Sequence, residues 1–358
     1  MLQRRSISRL INGCALALLV GVGLIGGTGR AQAAPRTSPQ APALVAPHLV
    51  SKQILSETSI DGPGLSKNDI GHEGDRAMAL AWTGADALHH LNLLTTNDGK
   101  TWINKRTLSD SSFVRPAVDR MPYMAGGEVI LAWTGTDSHH TLNVIWDAYN
   151  VNHSFKKVTL WGETSFTAPA IAVSGDRIFL VWAGTDANHS LNVMALAQRT
   201  LTVMTPKKTL AFSSNARPSI SLGASTQPTP ALLLGWTSRN GQVCFAVGDA
   251  AFKFGSARVS SGTSFAGPDF FNAESPYIGD TVTPKYWWTW TGSESYHAIH
   301  VAFNNMPDWP PASNISTLGE WALGGPVLAW RGDSFKVIIA WTGTDSQHHL
   351  NVGMVSST

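Results

Sequence analysis

One phrase, Trp133-Thr134-Gly135-Thr136-Asp137-Ser138-His139-His140-Thr141-Leu142-Asn143-Val144, recurs along this chain. It returns with few changes at Trp82, Trp182 and Trp341, and in eroded form at Trp236 and Trp290, so that successive tryptophans stand 51, 49, 54, 54 and 51 residues apart. A fixed period of this size, built from short β-prone runs, is the signature of stacked or radial repeats. A period near 50 points to a β-propeller, one repeat to a blade. Six copies predict an all-β, six-bladed propeller.

A second register runs beside the first. Pro63, Pro116, Pro169, Pro218, Pro268 and Pro326 each open a short apolar run. Four residues before them stand Ser59, Ser112, Ser165, Ser214 and Ser264, with Ala322 in the sixth place. Three residues before them stand Ile60, Phe113, Phe166, Phe265 and Leu323, with Asn215 as the exception. Each unit therefore parses into four strands. In the third unit these are Pro169–Val173, Arg177–Trp182, Leu191–Leu196 and Thr202–Leu210, the last broken by Pro206. Proline at a strand start costs no ladder hydrogen bond. Strands apolar on both faces suit sheets packed between two others. The sixth unit runs out after its third strand, Leu350–Val355, and Val50–Leu55 precedes the first unit, so the N-terminal segment is expected to complete the last blade and close the ring.

Residues 1–33 read as a secretory signal: Arg4, Arg5 and Arg9, an apolar core from Leu10 to Ile25, and the small-residue site Ala31-Gln32-Ala33. Residues 34–48 form an Ala/Pro-rich leader, and 49–358 the propeller. The expected location is secreted or extracytoplasmic, with no membrane span once the signal is removed. Loss of Arg4, Arg5, Arg9 and Arg30 takes the formal charge from +2 to −2. The remaining domain has no basic excess, which argues against nucleic acid as a partner. Its one cysteine, Cys244, closes no intrachain disulfide.

In a four-stranded blade the loops after the second and fourth strands share one face of the disc. The Gly-Thr-Asp-x-x-His and Ser-Phe-x-x-Pro segments are therefore expected together, where loops on a rigid scaffold build binding sites. The candidate ligand-binding residues are Asp86, His89 and Asn92; Asp137, His140 and Asn143; Asp186, His189 and Asn192; and Asp345, His348 and Asn351. The strand period places each histidine with Leu and Val on one face of the third strand and each asparagine on the other. The fifth unit carries Glu294, His297 and His300, and the fourth decays to Ser238, Arg239, Asn240, Val243 and Ala246. Two readings stand side by side: each Asp caps its own turn, with His bonded within the loop, or each triplet lines a ligand pocket. A metal site is not expected, because one Asp and one His per blade are spread around a ring. No cofactor is indicated. The repeated tryptophans fit between blades, whereas Trp161 and Trp321, placed on the loops after the fourth strands, are candidate platforms for a sugar ring.

The layout Pro169-Ala170-Ile171-Ala172-Val173, Arg177-Ile178-Phe179-Leu180-Val181 and Gly184-Thr185-Asp186 resembles the repeats of bacterial propeller lectins that bind fucose and related sugars. The resemblance runs over residues 49–358 at a few positions per unit. Those lectins usually have seven blades, and the aromatic pair they often carry on the third strand is Leu-Asn-Val here. It implies a carbohydrate-binding propeller with glycans or glycoconjugates as partners. Thr95-Thr96-Asn97-Asp98-Gly99-Lys100-Thr101-Trp102 resembles the Asp-box of the sialidase superfamily, with Thr95 for Ser and Asn97 for Asp. That superfamily's arginine triad and Tyr–Glu pair have no clear counterparts: Arg115-Pro116 and Arg217-Pro218 belong to the repeat, and Tyr277 lies near a glutamate, Glu274. No catalytic residue is assigned. A sialidase-like hydrolase and an extracellular protein-interaction scaffold stand as alternative functions, and the oligomeric state is open.

Overall fold

The structure, a computed structural model, describes residues 45–67, 78–120, 129–146, 156–223, 231–272, 286–304, 315–330 and 336–357. The expected signal and most of the expected leader, together with Glu274 and Tyr277, lie outside the described residues.

Six antiparallel sheets of four strands form a six-bladed β-propeller. Blades 1 to 5 span 64–111, 117–164, 170–213, 219–263 and 269–321, each with strands a to d in chain order. Blade 6 takes its strands a to c from 327–356, and its strand d is the N-terminal strand His48–Thr58. That strand pairs antiparallel with His349–Ser356, from His48 opposite Ser356 to Thr58 opposite His349. Val45 N–H adds a bond to Ser357 O at 2.8 Å. The closing pair expected from the two ends of the sequence is thus present, and begins two residues earlier than Val50. Strand a of each blade packs against strand a of both neighbours, which closes the inner ring.

The third blade shows how sequence sets the strands. Strands a, b and c occupy Ala170–Ser174, Arg177–Ala183 and Ser190–Ala197. Gly175, at φ +59°, makes the tight a–b turn. Strand d is Val203–Ser213 and is not broken at Pro206. The pairing instead shifts between Val193–Lys208 and Ala195–Thr205, so proline falls in a bulge of the outer edge strand, where no ladder bond is lost. Strand b is buried along nearly its whole length in every blade. Trp82, Trp133, Trp182 and Trp341 are each 1% exposed and fill the gap toward the preceding blade. Truncating one to alanine would cost about 3–5 kcal/mol.

A hydrogen-bonded ring stitches the blades on the face of the d–a and b–c loops. The d–a serines donate to the last carbonyl of strand b in the next blade: Ser59 to Thr83, Ser112 to Thr134, Ser165 to Ala183, Ser214 to Thr237 and Ser264 to Thr291, at 2.7–3.2 Å. The threonines return the link to the loop beyond: Thr83 to Val114 O, Thr134 to Thr167 O, Thr237 to Ala266 O, Thr291 to Gly324 O, and Thr342 to Asp61 O across the seam. These serines are at most 2% exposed, and burial without partners would cost more than the bonds return.

Candidate functional site

The twelve Asp, His and Asn candidates separate into three environments. Each aspartate caps its own turn. Asp137 accepts from His139 N–H at 3.0 Å, Thr141 N–H at 3.1 Å and Thr141 Oγ1–H at 2.9 Å. Asp86, Asp186 and Asp345 repeat the pattern with Leu88 and His90, Asn188 and Ser190, and Gln347 and His349. Burial pushes these carboxyls up, but the hydrogen bonds outweigh it and hold all four below the usual value. The glycine two residues earlier is required: a Cβ on Gly184 would lie 2.7 Å from Asp186 Oδ2.

The histidines do not lie on strand c, contrary to the strand-period reading. His89, His140, His189, His297 and His348 stand just before it, at φ between +50° and +54°. Each N–H bonds back to the acidic residue's carbonyl, and four of their carbonyls accept the N–H of the d–a serine: Ser112, Ser165, Ser214 and Ser59 for His89, His140, His189 and His348. In blade 4 the b–c loop is two residues shorter, and Gly241, at φ +78°, takes the same place. The rings pack on the loop aromatics, as in His189 on Phe166 at 3.7 Å and His297 against Phe265 at 4.0 Å.

The asparagines are buried opposite the tryptophans and tie strand c to strand d. Asn192 Nδ2–H donates to Ser190 O at 2.9 Å and Oδ1 accepts from Thr209 Oγ1–H at 2.7 Å; Asn92 with Thr107 and Asn143 with Thr159 do the same. Asn351 donates to His349 O. In blade 5 His300 occupies the position, as the sequence suggested, and meets Thr317 Oγ1 at 3.1 Å. In blade 4 the counterpart is Cys244, opposite Trp236, rather than a residue counted at the longer loop's spacing.

Where blade 2 meets blade 3, a cleft of about 350 Å³ opens between Gly162, Glu163 and Thr164 on one side and Trp182, Gly184, Thr185, Asp186, Ser190, Asn192, Lys207 and Thr209 on the other. Lys207 Nζ bridges it to Glu163 Oε2 at 2.7 Å. The pair recurs at three other blade junctions, as Lys52–Glu320 at 5/6, Lys105–Glu57 at 6/1 and Lys157–Asp110 at 1/2. At these three the ammonium also sits over the buried tryptophan, 5.2–5.9 Å from the ring centre of Trp341, Trp82 and Trp133. The remaining junctions differ. At 3/4 Phe212 replaces the acid and stacks on Trp236 at 4.6 Å. At 4/5 Gly262 replaces it, and a Cβ there would lie 2.8 Å from Trp290. The four junctions thus share an ammonium, a carboxylate, an Asp-capped loop, a buried asparagine and a backing indole, and they border the four units with intact Asp, His and Asn; the places that correspond to the 2/3 cleft are called clefts 5/6, 6/1 and 1/2.

Sequence reasoning missed these lysines and acids. Their signal was present: the acid stands two residues before the d–a serine or its alanine substitute, at Glu57, Asp110, Glu163 and Glu320. Trp161 and Trp321 lie in strand d rather than in the following loop, and are 84% and 50% exposed. Trp321 aligns with the cleft-lining Thr164, which puts it at the rim of cleft 5/6. Trp161 precedes Gly162 at the edge of cleft 2/3.

The Asp-box-like segment forms the c–d turn of blade 1. Asp98, one residue beyond the expected Asn97, organises it by accepting from Lys100 N–H at 2.8 Å, Thr101 N–H at 2.6 Å and Thr101 Oγ1–H at 2.9 Å. Around the axis, Lys67 pairs with Asp269, Arg217 Nη2 stands 3.5 Å from Asp269 Oδ1, and Arg115 donates to Pro63 O and Gly325 O. Asp119, buried beside them, accepts from Arg120 and Val173 N–H, yet burial raises its pKa to about 7. Arg115, desolvated and facing the charge of Arg217, is lowered to about 9. Among the described residues no cluster of three or more His, Cys, Asp or Glu is arranged to hold a metal ion.

No family model matches the chain, and no curated protein matches it in sequence. Solved structures share its fold. A protein of unknown function from Dyadobacter fermentans superposes with a TM-score of 0.57 at 13% identity, over 88% of this chain and 99% of that one. An arginine-to-alanine mutant of AofleA from Arthrobotrys oligospora gives 0.55 at 13% identity, over 85% and 86%. A mutant of the Aleuria aurantia lectin in complex with Fucα1-6GlcNAc gives 0.52 at 10% identity, over 86% and 99%. At these identities the likeness is one of fold.

Proposed function

We propose that this protein is an exported, lectin-like propeller that binds carbohydrate at four similar blade junctions, 5/6, 6/1, 1/2 and 2/3. The observation that carries the reading is the repeated Lys–carboxylate pair spanning a cleft. An ammonium donates and a carboxylate accepts, so together they satisfy neighbouring sugar hydroxyls, each of which does both. The Asp-capped loop holds one wall by hydrogen bonds that are made without a ligand, which reduces the ordering cost of binding. The 2/3 cleft opens beside Gly184-Thr185-Asp186, so the reading keeps the candidate face while moving the contacts from the histidines of the turn to the Lys–acid pairs. Four weak sites on one disc gain avidity against clustered glycans. The shared fold with a lectin held in complex with Fucα1-6GlcNAc is consistent with this use of the scaffold and does not identify the sugar.

A glycan array probed with the purified propeller tests the reading, with a fluorogenic sialoside assayed in parallel. Retention on a restricted group of glycans without turnover is expected. Turnover would favour the sialidase-like alternative. An array without a hit would contradict sugar binding and favour the protein-interaction scaffold.

A further inference from the structure

The four clefts are not alike. The residue four places after each cleft aspartate opens strand c and bonds that carboxylate through its side chain. In two clefts it is a hydroxyl: Ser190 Oγ lies 3.0 Å from Asp186 Oδ1, and Thr141 Oγ1 lies 2.9 Å from Asp137 Oδ1. In the other two it is an imidazole: His90 Nδ1 lies 2.9 Å from Asp86 Oδ1, and His349 Nδ1 lies 2.8 Å from Asp345 Oδ1. Ser190 lines cleft 2/3, and Thr141, His90 and His349 stand at the same register position at the other three junctions. A serine or threonine side chain ends at that wall, whereas the imidazole continues for the rest of a ring. An ionised carboxylate only accepts, so Nδ1 carries the hydrogen, and Nε2 of the neutral ring is left as an acceptor.

The division follows the topology. The two imidazole-lined clefts flank the closing strand His48–Thr58, which supplies Lys52 to cleft 5/6 and Glu57 to cleft 6/1. The two hydroxyl-lined clefts, 1/2 and 2/3, are built without that strand. At all four junctions the indole offers little open surface: Trp82, Trp133, Trp182 and Trp341 are each 1% exposed, and Lys105, Lys157 and Lys52 lie over the rings of Trp82, Trp133 and Trp341. His90 and His349 are partly open, with side chains 29% and 34% exposed.

Resting on the carbohydrate-binding reading, we propose that the clefts form two chemically distinct pairs of sites, and that His90 and His349 set the ligand preference of the pair flanking the closing strand. Each imidazole supplies a flat apolar surface for the C–H face of a pyranose and an Nε2 acceptor for one of its hydroxyls. The hydroxyl-lined pair lacks that surface and leaves more room at the same wall, which suits a more substituted ring.

Calorimetric titration of the full chain with Fucα1-6GlcNAc tests the division. The expected result is two classes of two sites each, with affinities separated by about three- to tenfold, the scale of one added aromatic contact. The double variant His90→Ser/His349→Ser is expected to merge them into a single class of four. In a separate chain, Ser190→His is expected to move one site between classes, giving three and one. A single class in the wild type, or two classes unchanged in both variants, would overturn the proposal. No binding by the wild type to this disaccharide or to any glycan of the array would instead defeat the sugar-binding reading, and this inference with it.

Discussion

Lys207 on strand d of blade 3 reaches Glu163 on strand d of blade 2, with Nζ 2.7 Å from Oε2, across a cleft backed by Trp182. Neither residue is needed to hold the blades together, because the Ser–Thr ring and the indoles already do so. Both side chains are partly solvated, at 40% and 18% exposed, and pairs of this kind add about 0–1 kcal/mol to stability. The pair is therefore better placed to meet a ligand than to support the fold. Lys207→Met and Glu163→Gln should each leave the melting temperature within a few degrees of the wild type. Each should also remove one of four binding events in a calorimetric titration.

The Asp-capped turns should behave oppositely. Asp137→Ala leaves two N–H groups and the Thr141 hydroxyl without their acceptor, at an expected cost of about 1–2 kcal/mol, read from denaturant unfolding. His189 tests the backbone of the same loop. At φ +50° a β-branched side chain is strained, so His189→Val should destabilise by about 1–3 kcal/mol, whereas His189→Gly should cost less, as Gly241 fills this place in blade 4.

Much of this fold is legible in the sequence because tryptophan, proline and serine recur at fixed places that the inner strands require. The Pro-led strand a, the Trp-ended strand b and the shared face of the two repeated loops all follow from that spacing, as does the closing strand. The cleft residues are harder to read because they lie on strand d, the exposed edge, where bulges change the count. Thr159 stands six residues before Ser165, whereas Thr107 and Thr209 stand five before Ser112 and Ser214. A lysine and a carboxylate 44 to 48 residues apart face one another in clefts 2/3, 1/2 and 6/1 only because adjacent blades bring their edges together. The left-handed histidines were missed for a local reason: an Asp-capped turn needs a residue at positive φ before the strand starts, and the two-residue alternation does not apply there.

Deleting residues 45–58 removes the outer strand of blade 6 and exposes the edge of His349–Ser356. A fall in melting temperature of about 10 °C or more is expected by calorimetric scan. Clefts 5/6 and 6/1 should be lost with the strand, since Lys52 and Glu57 go with it, so any remaining binding should be confined to clefts 1/2 and 2/3.

The axial Asp119 gives a signed pH dependence. Its carboxyl is raised from 3.8 to about 7 in the folded chain, so between about pH 4 and 7 the folded state keeps a proton that the unfolded state has released. Its contribution to stability therefore falls as pH rises through that window and is constant above it. Asp119→Asn should flatten this part of the profile. Melting temperatures of variant and wild type compared from pH 4 to 8 should converge or cross as pH rises. A constant offset would contradict the shift.

The most direct test of the four-cleft account is a crystal structure of the protein soaked with a glycan that retains it on the array. The account predicts sugar density at junctions 5/6, 6/1, 1/2 and 2/3, in contact with Lys52, Lys105, Lys157 and Lys207 and their facing carboxylates, and none at 3/4 or 4/5, where Phe212 and Gly262 stand. Density confined to the axial channel, to the Phe–His contacts of the loops or to junctions 3/4 and 4/5 would contradict it, as would a fully soaked crystal with all four clefts empty of sugar.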